Sequence, residues 1–225
     1  DAEVRFGRNW LKNMTGLTRE YDMCGGLIIV EGWKFFHRLQ RMDWLFLCSV
    51  GAGFAGMGNP QSLFGKNLVV TRKLYDQAGG FPEGLVWTED LELVKRCAGK
   101  GIIGFTLEKG CAVYTVPEDS ITNFYRQKFR WLKGGSRVGF AGWMTLLTAF
   151  VMNCAVLYSM FLGTYYFAAA LGIKMLADIL IIGKLTVRLG LKRDLILMPF
   201  FSLFTVLYQS ALLILYPITR RPRWR

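Results

Sequence analysis

Three short groups of residues have types and spacings that could do chemistry. The first is Asp1-Ala2-Glu3. Side chains alternate along an extended segment, so two acids one residue apart point the same way. Such a pair can share a divalent cation, and Mg2+ favours one or two carboxylates completed by phosphate oxygens. The second group is Thr88-Glu89-Asp90. A carboxylate at a helix start can be held at a fixed angle towards a cleft and take a proton from a hydroxyl, as a general base. Its plainer reading is a helix acid stabilised by the macrodipole. The third is Gln127-Lys128-Phe129-Arg130-Trp131. On a helix, Gln127 shares a face with Arg130 (i, i+3) and with Trp131 (i, i+4). That face offers an amide, a guanidinium suited to phosphate oxygens, and an indole on which a sugar ring can stack. Its plainer reading is a basic helix beside a membrane, because Arg126, Lys128, Arg130, Lys133 and Arg137 all precede an apolar run.

These groups need elements to hold them. Residues 7–16 read as a short helix closed by Gly16, and 22–30 end in a β-prone run. Trp33, Phe36 and Leu39 recur at helical spacing, which predicts a helix over 32–47. A glycine-rich loop is expected from Gly51 to Gly58, before the turn signal Asn59-Pro60. A strand at 67–71 leads to a short helix stopped by Gly79-Gly80. Thr88 can cap a helix over 89–98, with acids in its first turn. Strands follow at 102–107 and 112–116, then a helix over about 120–133. Strands alternating with helices imply an α/β layer domain.

The 225 residues carry 28 Lys and Arg against 16 Asp and Glu, for a net charge of +12. Apolar residues make up 52%, which excludes intrinsic disorder and collagen-like repeats. The mean hydropathy of +0.29 is high for a soluble domain. The charge is unevenly spread: residues 1–138 have 19 bases and 14 acids, residues 139–225 only 9 and 2. The first stretch reads as water-soluble and the second as membrane-embedded, with a basic tail at 220–225. Residues 140–173 form a 34-residue run without a charge. As one helix it would be ~51 Å long against a hydrocarbon core of ~30 Å. It therefore predicts two crossings with a turn near Gly163, or one crossing that continues. Residues 195–219 form a second uncharged run. Between them, Lys174, Asp178, Lys184, Arg188 and Lys192 fall on one helical face. A helix over 174–192 lying in the membrane interface is the cheaper expectation; a crossing helix with its charges packed inward is the other.

The order of motifs resembles a family. Asp-Ala-Glu, then Gly65-Lys66-Asn67, Gly79-Gly80-Phe81, Thr88-Glu89-Asp90 and Gln127-Lys128-Phe129-Arg130-Trp131, then apolar helices, is similar to the membrane-bound branch of family 2 inverting glycosyltransferases. That branch includes cellulose, chitin and hyaluronan synthases and ceramide glucosyltransferase. The resemblance implies an α/β fold: the C-terminal half of a Rossmann-like GT-A domain over residues 1–138, then transmembrane segments over 139–219. It implies a nucleotide-sugar donor, a lipid or polysaccharide acceptor, and inversion. It implies Asp90 as general base with Glu89 as acidic neighbour, and Gln127, Arg130 and Trp131 as substrate-binding residues. It also implies Asp1 and Glu3 as ligands of Mg2+ or Mn2+, with Glu in place of the family's second Asp. Gly65-Lys66-Asn67 resembles the strand beside the acceptor pocket, with no role given to Asn67. The family's nucleotide-binding strands are expected upstream of Asp1, in a longer protein, so these residues alone are expected to be inactive. The expected location is a membrane, bacterial and cytoplasmic, with the catalytic domain facing the cytosol.

Other residues and other classes weigh less. The sole His37 reads as structural or surface. Five cysteines without CxxC spacing argue against a zinc site or a disulfide framework. The aromatic residues Trp33, Phe35, Phe36, Trp44 and Phe46 read as core, or as a stripe along the interface. Basic charge beside apolar runs suits anionic lipid headgroups and not nucleic acid. A non-catalytic membrane scaffold that keeps a glycosyltransferase half-domain is the alternative from another class. A small transporter using Lys174 and Asp178 is a third.

Overall fold

The computed structural model describes residues 4–61, 63–81, 89–135 and 138–215. The chain divides into two compact units, Asp1–Pro117 with Arg137–Gly139, and Glu118–Ser136 with Phe140–Arg225.

In the first unit, β1 (Val4–Phe6), α1 (Trp10–Gly16), β2 (Met23–Gly26), β3 (Ile28–Val30) and α2 (Phe35–Gly56) come first. They are followed by β4 (Leu68–Val70), α3 (Arg72–Ala78), α4 (Glu89–Cys97), β5 (Ile103–Thr106) and β6 (Val113–Thr115). The strands form two small mixed sheets, in the orders β1-β6-β3 and β4-β2-β5. β2 is parallel to β5 and antiparallel to β4; β3 is parallel to β6, which is antiparallel to β1. Every residue of β2 and β3 is buried, so the Met-Cys-Gly-Gly-Leu-Ile-Ile-Val run lacks the polar alternation of a half-exposed strand. Gly25 is required by close packing: a Cβ there would sit 2.9 Å from both Leu63 and Phe105. Met23, Leu63, Leu74, Ala78, Leu93, Val94, Cys97 and Ile103 form a core that binds β2, α3, α4 and β5 together.

Most boundaries match the pattern in the residues. Thr71 caps α3, its hydroxyl accepting from the Leu74 N–H at 3.3 Å, and Gly79 ends the helix at φ +77°. The glycine-rich loop is a correction. α2 runs to Gly56, because an interior glycine costs a helix only about 1 kcal/mol and the packing of this helix outweighs that. The stop is Gly58, at φ +71°, before Pro60. The aromatic stripe divides: Trp44 is buried, whereas Trp33 is 87% exposed and precedes the helix.

The second unit contains α5 (Ile121–Gly135), α6 (Phe140–Leu162), α7 (Thr164–Arg188) and α8 (Met198–Leu215), with a 3-10 turn at Lys192–Leu197. In the observed division α5 joins the apolar helices. Phe124 of α5 is the reason: it packs on Phe204 and Tyr208 of α8, with ring centroids 5.4 and 5.2 Å apart. The uncharged run breaks at Gly163, at φ +119°. Phe140–Leu162, Thr164–Arg188 and Lys192–Leu215 are each long and apolar enough to cross a membrane, the mark of a membrane protein.

A separate helix over 174–192 is not what forms; Lys174 and Asp178 lie within α7. Both are buried, whereas Lys184 and Arg188 are exposed, so the charged arc divides. The Lys174 ammonium donates to both Asp178 oxygens, at 2.6 and 2.7 Å, and to the Thr205 hydroxyl at 3.3 Å. The Ser202 hydroxyl donates to Asp178 Oδ2 at 2.6 Å. A charge inside a bilayer is tolerated when it is paired and faces the interior of the helix bundle. One turn along α8, the Asn153 amide of α6 donates to Gln209 Oε1 at 2.9 Å. These bonds fix α8 against both neighbours.

The buried pair makes a prediction. Asp178→Leu alone leaves an ammonium buried without its carboxylate and should cost about 3–5 kcal/mol. The double change Lys174→Met with Asp178→Leu should cost less than either single change, read as melting temperatures in detergent. A double variant at least as unstable as the sum of the singles would contradict this account.

Candidate active site

Asp90 is the second residue of α4, whose termini suit the helix dipole. Glu89, Asp90 and Glu92 occupy the first turn and Lys95 and Arg96 the last. Leu91, Leu93, Val94 and Cys97 are buried and anchor the helix, so its first turn is held in place. The half-buried Asp90 carboxylate accepts from two backbone N–H groups. Oδ1 takes the Leu91 N–H at 2.8 Å and Oδ2 takes the Gly65 N–H at 2.9 Å. The Gly65 bond ties the acid to a loop 25 residues away in the chain, and a Cβ at Gly65 would sit 3.4 Å from Asp90 Cβ. Each carboxylate oxygen has a second lone pair with which to accept a proton. Glu89 is exposed.

Two residues after Gly65 stands Asn67, a residue to which the motif gave no role. Asn67 is 1% exposed. Its Nδ2 donates to Leu27 O and Cys111 O, both at 2.8 Å, and its Oδ1 accepts from Trp10 Nε1 at 3.1 Å. One carboxamide thus joins the β2–β3 junction, the segment before β6 and α1. Gly26 lies against it so closely that a Cβ would collide with Asn67 Nδ2. Between them in sequence, the Lys66 ammonium donates to the Thr115 hydroxyl at the end of β6, at 3.3 Å.

In the second unit, α5 carries the third motif. The Ser120 hydroxyl accepts from the Asn123 N–H at 3.1 Å at its start. Gln127, Arg130 and Trp131 lie half-buried on this helix, as their spacing predicts. Gln127 Nε2 donates to Glu118 Oε1 at 2.7 Å, which fixes the amide's orientation. Lys128, one of the bases that precede the apolar run, is 5% exposed, with its ammonium 4.2 Å from the Trp131 ring centroid.

Asp1, Glu3 and Thr88 lie outside the described residues. Among the described residues no group of three or more His, Cys, Asp or Glu is placed to hold a metal ion. The thiols of the first unit are poor nucleophiles. Burial pushes Cys24 up to about 11 and Cys48 up to about 12, and raises Cys97 and Cys111 as well; the thiolate is the reactive form. A cavity of about 470 Å³ in this unit is walled by small residues such as Ala52, Gly56, Gly99 and Gly104, with no charged side chain, and Asp90 is not part of it.

The family model described as "Glycosyl transferase family group 2" matches residues 1–218. The chain matches no curated protein.

Asn67 yields the prediction here. Asn67→Ala strips two buried carbonyls and an indole N–H of their partner, each loss costing about 1–3 kcal/mol. The first unit should lose at least about 3 kcal/mol of stability in a denaturant titration. A loss below about 1 kcal/mol would remove Asn67 as the bracket that joins these three segments.

Proposed function

The chain belongs to glycosyl transferase family group 2, and from that membership we propose that it moves a sugar from a nucleotide-sugar donor to a lipid or polysaccharide acceptor at a bilayer. The reaction is a single displacement at the anomeric carbon. The acceptor oxygen forms the new bond as its proton passes to Asp90. The bond to the diphosphate breaks, the diphosphate leaves with the electron pair, and the anomeric configuration inverts. No side-chain nucleophile is needed. The observation that carries this reading is the Asp90 carboxylate, aimed by backbone N–H groups of two separate segments. A general base needs a fixed position more than any other property, and contributes about 10²–10⁴ in rate.

The other roles follow from residue chemistry. Arg130 offers donors to the leaving diphosphate. Gln127 holds its amide for a substrate hydroxyl, and Trp131 is a stacking platform for the acceptor sugar. Glu89 adds negative charge beside the base. The donor set at Asp1 and Glu3 has the chemistry for Mg2+ or Mn2+, which when bound would offset charge on the diphosphate. On this reading the first unit belongs to a GT-A domain, on the cytosolic side of a bacterial cytoplasmic membrane. The apolar helices keep the reaction where a lipid acceptor or a growing glycan meets the bilayer.

The test uses the complete protein in membrane vesicles with a panel of labelled nucleotide sugars and Mg2+ or Mn2+. Asp90→Asn keeps the shape of the side chain and removes its basicity. Transfer into a lipid or glycan fraction should fall by about 100-fold or more, and the labelled fraction identifies the acceptor. Undiminished transfer by Asp90→Asn would remove Asp90 as base, and no transfer by wild type with any donor would count against the reading as a whole.

A further inference from the structure

Lys128 sits between two signature residues yet turns inward. Its neighbour Arg126 is exposed, whereas Lys128 is 5% exposed. A lysine near a membrane ordinarily extends its ammonium towards water, so an ammonium held inside must gain from its surroundings. Three aromatic rings contribute to that gain. Nζ lies 4.2 Å from the Trp131 ring centroid, 5.1 Å from that of Phe124 and 5.9 Å from that of Tyr208. The ring faces are the negative pole of the aromatic quadrupole, and indole is the strongest of the three. Phe124 precedes Lys128 by one turn of α5 and Trp131 follows it by three residues. Tyr208 comes from α8, where the Phe124 and Tyr208 rings meet edge to face at 5.2 Å. The ammonium is therefore held by two helices, and the nearest ring is the one in the signature.

We propose that Lys128 is a positioning residue that clamps the Trp131 indole for stacking on the acceptor sugar. The inference rests on the reading of Trp131 as the acceptor platform. A cation over one face fixes the plane of the ring, so any sugar that stacks must use the opposite face. Arginine at this position could still lie over the indole; methionine fills a similar volume without charge.

The experiment places 5-fluorotryptophan in the complete protein in lipid nanodiscs. The Trp131 fluorine resonance is assigned by its loss in Trp131→Phe. Lys128→Met should shift and broaden that line while the melting temperature stays close to wild type, and Lys128→Arg should restore it. Octyl β-glucoside, below its micelle concentration, serves as the sugar probe. It should move the wild-type Trp131 line with a half-saturation at least fivefold lower than in Lys128→Met. An unchanged line in Lys128→Met, failure of Lys128→Arg to restore it, or equal half-saturations would overturn the proposal. A wild-type line that shifts with Lys128→Met but never responds to the glucoside would overturn the platform reading, and with it the sugar-binding purpose of the clamp, while leaving the contact itself measured.

Discussion

The carboxamide of Asn67 is the constraint on which the first unit depends. It donates twice and accepts once, to three segments far apart in the sequence. A buried amide bonded through both its nitrogen and its oxygen is fixed in position, because any shift would leave a polar group unpaired in a medium that cannot replace water. Gly65 lies two residues before it and donates its N–H to Asp90. The backbone donor to the acid thus stands two residues from a firmly bonded amide. Gly26, which has no room for a side chain against Asn67, belongs to the same device. The motif Gly65-Lys66-Asn67 reads in this light as a backbone donor and, two residues on, the bracket that joins three segments.

The second unit meets the same requirement in harsher surroundings. Its apolar helices cannot be held together by hydrophobicity alone if lipid surrounds them, because lipid tails are equally apolar. Polar bonds and close packing supply the specificity. Lys174 and Asp178 satisfy each other, and Ser202 and Thr205 of α8 complete the set. α5 joins this unit through Phe124, which packs on the same helix α8 that supplies Tyr208 to the Lys128 cage. The signature residues therefore stand on a helix whose position is set by aromatic contacts within the helical unit.

Much of this was legible in the residues. Gly79 and Gly163 break helices where they were expected to, since both take a positive φ that other residues resist. The i, i+3 and i+4 spacing of Gln127, Arg130 and Trp131 gave their common helix. Local signals failed where tertiary packing decided. The glycines from 51 to 56 read as a loop, but the packing of α2 made them helical. Lys174 and Asp178 shared a face with Lys184 and Arg188, and helical periodicity alone could not tell which charges would find partners on α8. Asn67 and Lys128 were invisible as to role, because a bracket or a cage exists only once distant segments meet. The signal that could have flagged Asn67 is its place two residues after a glycine in a motif; for Lys128 it is a base flanked at i−4 and i+3 by aromatic residues.

A base that deprotonates the acceptor, with no covalent intermediate on the enzyme, commits the chemistry to one stereochemical outcome. The most direct measurement is the anomeric configuration of the first sugar transferred, read from its proton coupling constant by NMR and compared with that of the donor. The account predicts the opposite configuration in the product. Retention would require two displacements or a different attack geometry, and would contradict Asp90 as the base of a single displacement.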